Sequence, residues 1–264
     1  MEFLTELSKR GESKEAAEEG KEDIGTRILA CNPILEGFGN AKTVRNNNSS
    51  RFGKYTLMYF SLFEDKVLGA KIKNYLLEKS RVIKVAPNER GYHIFYFLLR
   101  GAKHEDLEKI FLINEKTKKP YEYTDFNYLK IGGDLTVEYD VEGYNEVMET
   151  FIKLQFTQGE MDAIWKMISA ILHLGQIEFD DKVFEEGEKP CGLKDKTVME
   201  KIAKLLGYAD LGKLEKTILF TQKKVAGQVF ETPNKIGKCV DTANALSKQM
   251  FNNMFNWLVV RMNQ

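Results

Sequence analysis

The sequence predicts an α/β chain rich in helix, in which part of a sheet is joined to a helical subdomain. Three observations carry this. Two β-like runs, Arg51–Phe60 and Lys66–Leu77, stand close enough to form a hairpin feeding a central sheet. Met161, Ile164, Trp165, Ile168, Ile171, Leu172 and Leu174 recur at helical spacings, the signature of a helix packed on a core. Ala243, Leu246, Met250, Met254, Trp257, Leu258 and Arg261 continue a second helical stripe almost to the last residue. With 264 residues and 43% hydrophobic content, the chain can bury one large core or two small ones.

The elements follow in order. Met1–Leu7 is helical in pattern with no capping residue ahead of it, and Ser8–Asp23 is a charged, glycine-containing loop with almost no large apolar residue. Ile24–Asn40 carries Ile28, Leu29, Ile34, Leu35 and Phe38 at helix-like spacing, with Pro33 allowed at the start of its second part. Asn46–Arg51 is a run of short polar side chains, which hydrogen-bond their own backbone and therefore favour a turn. Asp65 and its neighbours mark the bend between the two β-like runs. Asn88–Leu99 is rich in aromatics and predicted to be largely buried; His93 and His173 lie in apolar segments and are expected to be satisfied core histidines. Glu178–Asp195 is acidic and turn-rich, and Gly212–Lys238 reads as a solvated, lysine-rich hairpin. No stop signal closes the last helix and no polar linker opens the chain, so the sequence reads as an internal piece of a longer protein.

Charge and cysteine usage exclude several classes. Lysine plus arginine (39) balances aspartate plus glutamate (39), so no global field favours nucleic acid or an anionic membrane. The three cysteines, Cys31, Cys191 and Cys239, lack paired spacing and read as reduced thiols of an intracellular protein. The three histidines sit in no metal-ligand pattern. With neither a membrane-length apolar run nor a signal peptide, the chain is expected to be soluble and cytoplasmic.

The turn belongs to a longer ordered segment. Asn32-Pro33-Ile34-Leu35-Glu36, Asn40-Ala41-Lys42-Thr43 and Asn46-Asn47-Asn48-Ser49-Ser50-Arg51-Phe52-Gly53-Lys54 together resemble the switch I region of myosin motor heads. Tyr75–Val82, Asn88–Tyr96, Ile171–Gly175 and Phe255–Val259 follow in the family's order, so the resemblance spans nearly the whole chain. It implies a fragment of a P-loop NTPase motor domain with part of a central mixed sheet. Residues 1–80 would be part of the nucleotide-bearing sheet region with surface loop 1 and switch I, and residues 81–264 the upper, actin-facing helical subdomain. ATP and Mg2+ are the implied cofactors.

Site roles follow from the same resemblance. Asn46 would contact the nucleotide phosphates, the Ser50 hydroxyl would ligate magnesium, and Ser49 would sit beside the attacking water and help relay its proton. Arg51 would pair with a glutamate of switch II, and a buried pair of that kind costs about 3–5 kcal/mol to break from one side. No Gly-x4-Gly-Lys-Ser/Thr stretch and no Asp-x-x-Gly-Phe-Glu stretch occurs; Gly11-Glu12-Ser13 does not continue as a P-loop. The isolated chain is therefore expected to be inactive as an ATPase, the P-loop lying upstream and switch II downstream.

The lysine-rich segment holds six lysines against two glutamates, and it looks like the family's actin-touching loop. Lys223, Lys224, Gln228, Glu231 and Lys235 are its expected contacts; the place where many members carry an acidic or phosphorylatable residue falls on Gln228. The implied partners are the actin filament and ATP or ADP, with light chains outside this region and a cytoskeleton-associated location. A non-enzymatic actin-binding or scaffold protein of the same fold stays open beside the motor reading.

Overall fold

The computed structural model describes residues 29–63, 67–225 and 227–264. The expected opening helix, the Ser8–Asp23 loop and the bend at Asp65 lie outside the described residues. Helix α1 (Asn32–Gly39) places Pro33 in its first turn and buries Ile34, Leu35 and Phe38, as their spacing requires. Strands β1 (Asn40–Ala41) and β2 (Ser49–Ser50) pair antiparallel and close the polar turn between them. Strands β3 (Gly53–Phe60) and β4 (Val67–Tyr75) form the expected hairpin, Gly53 opposite Tyr75 and Thr56 opposite Ile72.

The chain then turns helical. Helix α2 (His93–Gly101) is buried from His93 through Leu99, so it runs through the core rather than over it. A short α3 (His104–Lys109) leads to α4 (Val137–Lys153), whose N-cap Thr136 accepts from Tyr139 N. Helices α2 and α4 approach closely because each contributes a glycine: a Cβ on Gly101 would meet Tyr144, and one on Gly143 would meet the Phe97 ring, both at 2.2 Å. Helix α5 (Gln158–Leu174) opens on a Thr157/Glu160 capping box and buries Met161, Ile164, Trp165, Ile168, Ile171, Leu172 and Leu174.

Strands β5 (Phe179–Asp180) and β6 (Gly192–Leu193) bracket the acidic segment. Helices α6 (Thr197–Leu206) and α7 (Leu211–Leu219) follow, then the hairpin β7 (Phe220–Val225) and β8 (Gln228–Pro233) and the long α8 (Ile236–Met262). The lysine-rich segment is thus not one hairpin. Lys213 and Lys216 lie on α7, Lys235 caps α8 and Lys238 lies within it, leaving only Lys223 and Lys224 on the strands. The apolar triplet Leu214, Ile218 and Leu219, which anchors α7 to the core, was hidden among charges.

Two cores result. The larger gathers α1, α2, α4, α5 and the second half of α8, and residues on both sides of position 80 share it, from Cys31 and Ile72 to Leu258. The smaller, built from Ile177, Phe179, Cys191, Met199, Ile202, Leu214, Ile218 and Cys239 with their neighbours, lies under the acidic segment and the root of the β7–β8 hairpin. Among the described residues the strands pair as four two-stranded antiparallel ladders rather than a mixed sheet. The outer edge of β4 is met by α8 instead of a third strand: the Asn263 side chain donates to Ile72 O at 2.8 Å and accepts from Ile72 N at 2.7 Å. No described helix is long and apolar enough to cross a membrane.

Candidate functional site

The Asn46–Arg51 turn is held by its own short side chains. Thr43 N and Oγ1 donate to Asn46 O at 2.8 and 3.1 Å, and Asn46 Oδ1 accepts from Asn48 N at 2.8 Å. Asn48 Oδ1 accepts from Asn40 Nδ2 at 2.9 Å, while Asn48 Nδ2 donates to Glu36 Oε2 at 2.8 Å, which pins the turn to α1. Ser50 Oγ donates to Phe52 O at 2.9 Å. Asn46 and Ser50 are exposed and Ser49 is half-buried, so the turn presents oxygens and an amide to solvent on a braced backbone.

Arg51 ends the turn inside a network of charges. Its Nε donates to Glu78 Oε2 at 2.6 Å and its Nη1 to Ser49 Oγ at 3.2 Å. The backbones also meet, Glu78 N donating to Arg51 O at 2.9 Å. Glu78 is shared: Arg81 Nε donates to it at 2.8 Å, and Arg81 Nη1 reaches Glu89 at 3.0 Å and Arg90 O at 3.1 Å. Tyr92 OH donates to Glu78 O at 2.9 Å, and burial raises this phenol above its ordinary value. Burial pulls the Glu78 carboxyl upward, but the hydrogen bonds and charges of Arg81 and Arg51 outweigh it and hold the group below the usual carboxylate range. Arg51 and Glu78 remain 29% and 33% exposed, so this is an edge pair rather than a buried one.

Behind the turn lies a cavity of about 170 Å3, lined among others by Glu36, Asn48, His93, Tyr139, Glu142 and Glu146. His93 is a core residue, stacked on Phe97 with centroids 5.6 Å apart, but it is not satisfied as expected: neither ring nitrogen has a hydrogen-bond partner among the described residues. The ring stacks on Phe97 and meets Tyr139 edge-on, aromatic faces that offer its nitrogens no lone pair. Burial, helped by the charge of Arg90, lowers its pKa from 6.5 to about 3, so the imidazole is neutral. His173 matches the expectation, its Nδ1 lying 2.9 Å from Ser169 O.

The hairpin and the start of α8 carry the other predicted residues. Lys223 sits opposite Phe230, Lys224 opposite Val229, and Gln228 opposite Val225 at the tip. Val229 and Phe230 are 59% and 53% exposed, so apolar surface is interleaved with the two lysines. Glu231 is already engaged, accepting from Gln222 Nε2 at 3.0 Å and Lys216 Nζ at 3.4 Å. Lys235 leans toward the acidic segment, its Nζ 5.2 Å from the Phe184 ring centroid. Asn46, Ser49, Ser50 and Arg51 are therefore brought together on one braced turn, whereas Lys223, Lys224, Gln228 and Glu231 lie on the hairpin and Lys235 at the start of α8.

The family model of the myosin head (motor domain) matches residues 1–264. The chain belongs to the myosin head family. It is 40% identical over 238 residues to a myosin-I heavy chain of Dictyostelium discoideum, covering 89% of this chain and 10% of that protein. It is 37% identical over 264 residues to unconventional myosin-Ib of Homo sapiens, covering 98% and 22%, and 38% identical over 248 residues to myosin-1 of Pyricularia oryzae, covering 92% and 19%. The chain thus spans about a tenth to a quarter of the length of these relatives.

Within this myosin head chain, sequence reading missed Glu78, Arg81, Glu36 and Asn48 as parts of the site. Glu78 and Arg81 stand in the Tyr75–Val82 segment that carries the family resemblance, but the Arg51–Glu78 contact joins residues 27 apart and no local spacing reveals it. The acidic Glu36 in the first resembling segment was the one local signal for a brace to the turn.

Proposed function

We propose that the chain is the switch I and upper actin-facing part of a motor that couples Mg-ATP hydrolysis to movement on actin. The observation that carries this is the braced turn that presents Asn46, Ser49 and Ser50 together and ends on an arginine held by Glu78 and Ser49. Its donor set suits the implied ligands. Ser50 directs its hydroxyl hydrogen to Phe52 O, leaving oxygen lone pairs for a hard cation. Asn46 uses Oδ1 internally, leaving its amide NH2 for a phosphate oxygen. Bound magnesium would neutralise phosphate charge. Ser49 Oγ, fixed by Arg51 Nη1, can accept a proton from an adjacent water and pass its own on.

The partly exposed Arg51–Glu78 pair makes Arg51 exchangeable. Glu78 holds the guanidinium in register while the turn is open, and a switch II carboxylate from elsewhere in the motor takes it over on closure. The β7–β8 tip, with Lys223 and Lys224 beside Val229 and Phe230, supplies encounter with an acidic filament surface and an apolar contact to hold it. The β3–β4 hairpin joins a larger sheet contributed by other parts of the motor. Such a motor works in the cytoplasm on the cytoskeleton.

The test is Arg51→Glu in the intact motor. Expected is ATP binding within a few-fold of wild type and loss of actin-activated phosphate release, with partial recovery when the switch II glutamate is changed to arginine. Unchanged turnover would refute the assigned role. Actin affinity that ignores ATP in the unmutated protein would favour the scaffold instead, because the coupling of two sites on one motor is reciprocal.

A further inference from the structure

The three cysteines are distributed unequally. Cys31 lies in the larger core, while Cys191 and Cys239 share the smaller one with their sulfurs 3.2 Å apart. They come from opposite sides of that core: Cys191 leads into β6 at the end of the acidic segment, and Cys239 stands in the first turn of α8. A disulfide needs a sulfur separation of about 2.05 Å, so joining them takes a shift of roughly 1.2 Å. One buried residue, Asn234, touches both cysteines, the backbone of Cys191 and the sulfur of Cys239. Asn234 O accepts from Cys191 N at 3.1 Å and faces Cys239 Sγ at 3.8 Å, while Asn234 N and Nδ2 donate to Leu219 O and Ile218 O at 2.9 and 3.1 Å.

We propose that Cys191 and Cys239 are an oxidation site, a dithiol that a hydroperoxide converts into an intramolecular disulfide. The order of reaction follows from the surroundings. Burial pushes both thiols up, so neither reacts until the site opens. Cys191 follows exposed residues, Glu185 to Lys189, so a local opening of the acidic segment uncovers it first. The Cys191 thiolate attacks a peroxide oxygen: an S–O bond forms, the O–O bond breaks, and the departing oxygen leaves as water after taking a proton. Cys239 then loses its proton and attacks the sulfenyl sulfur, forming S–S and releasing the second oxygen as water. Two thiols and one hydrogen peroxide become one disulfide and two waters. The bridge ties the acidic segment to the root of the β7–β8 hairpin across Asn234.

Peptide mapping of the full chain tests this. Native protein is treated with graded hydrogen peroxide, alkylated with N-ethylmaleimide and digested without reductant. Expected is a peptide pair joining Cys191 to Cys239, two hydrogens lighter than the separate peptides and released by dithiothreitol, with Cys31 alkylated only after denaturation. The pair should form faster as pH rises above neutral, because the thiolate is the nucleophile. Oxidised wild type should melt several degrees higher than reduced, and Cys191→Ser and Cys239→Ser proteins should show no such rise. Single oxidation of Cys191 to sulfinic acid with Cys239 still alkylatable would overturn the proposal. So would a set of linkages that includes Cys31 and matches that of denatured protein. Mapping needs only wild type, so a variant that fails to fold leaves the result decisive.

Discussion

Arg51 and Arg90 each donate to a carboxylate at nearly the same distance, 2.6 Å to Glu78 and 2.7 Å to Asp140, yet they stand in opposite surroundings. Arg51 and Glu78 are about one third exposed, and Glu78 Oε2 accepts from both Arg51 and Arg81 while Oε1 accepts from Arg81. Arg90 and Asp140 are fully buried; Arg100 completes the second Asp140 oxygen at 2.8 Å, and the Tyr96 ring centroid lies 3.6 Å from the Arg90 guanidinium carbon. Arg90 Nε and Nη1 have no hydrogen-bond partner among the described residues. Burial raises the Asp140 carboxyl against the pull of both arginines, the desolvation cost that a buried ion pair carries. The members of this network are nonetheless locked, because removing one leaves a buried charge alone. A partly hydrated pair can change partners at little cost, and a dry one cannot. The two arginines differ in medium, not in bond length.

The largest expected effect breaks the buried network. Asp140→Asn should cost about 3–5 kcal/mol of stability, because the fully buried Arg90 loses its counter-charge and Arg100 keeps only Asp134. Urea denaturation checks it; a loss no greater than that of the Glu78 variant below would erase the distinction between the two pairs.

Next is the histidine beside that network. The unfolded chain binds a proton on His93 below its ordinary value of 6.5, but the folded chain resists protonation down to about 3. The folded-state value is therefore depressed, and stability is lost as pH falls from 6.5 toward 3. His93→Phe keeps the stacking on Phe97 and removes two unpartnered polar atoms, so it should be at least as stable as wild type at neutral pH. Its advantage should grow by about 2–3 kcal/mol between pH 7.5 and pH 4.5. Parallel stability curves for the two proteins would show that the ring has a hydrogen-bonded protonated state.

Glu78→Gln probes the edge pair. Partial hydration limits the stability loss to below about 1 kcal/mol. Glu78 is depressed from an ordinary 4.5, so its contribution is present above that value and disappears as pH falls through the lower folded-state value. The variant should lack that acid-dependent component. If instead it unfolds like Asp140→Asn, Arg51 is not exchangeable.

The smallest effect on stability belongs to the hairpin tip. Lys223→Glu with Lys224→Glu should change stability by less than about 0.5 kcal/mol, since both side chains are exposed. In the intact motor the same change should slow actin association and flatten its salt dependence. An association rate unmoved at low salt would detach the tip from the filament.

How much of this was legible depended on the range of the forces involved. The α5 stripe from Met161 to Leu174 and the β3–β4 hairpin could be read because periodicity is local, and the Asn46–Arg51 turn because its side chains bond to their own backbone. Helix α7 hides in the segment that reads as a lysine-rich hairpin, because Lys213, Glu215 and Lys216 surround the Leu214 and Ile218 anchor. The brace from Glu36 to Asn48, the Arg51–Glu78 pair and the meeting of Cys191 with Cys239 join residues 12, 27 and 48 apart. Such pairings exist only once the chain is packed. His93 shows the converse error: its apolar neighbours predicted burial, and the same neighbours denied it partners.

Helix α8 has 27 residues, a rod of about 40 Å at 1.5 Å per residue. Its first turn carries Cys239 at the hairpin root, and just past its last turn Asn263 grips both backbone groups of Ile72 in β4. A two-point amide clasp transmits pull as well as push, unlike a greasy contact that can slide. A tilt of about 5° about one end of such a rod carries the other through roughly 3–4 Å, about the rise of one residue along a strand. The helix is thus a lever arm with the hairpin root at one end and the edge of β4 at the other.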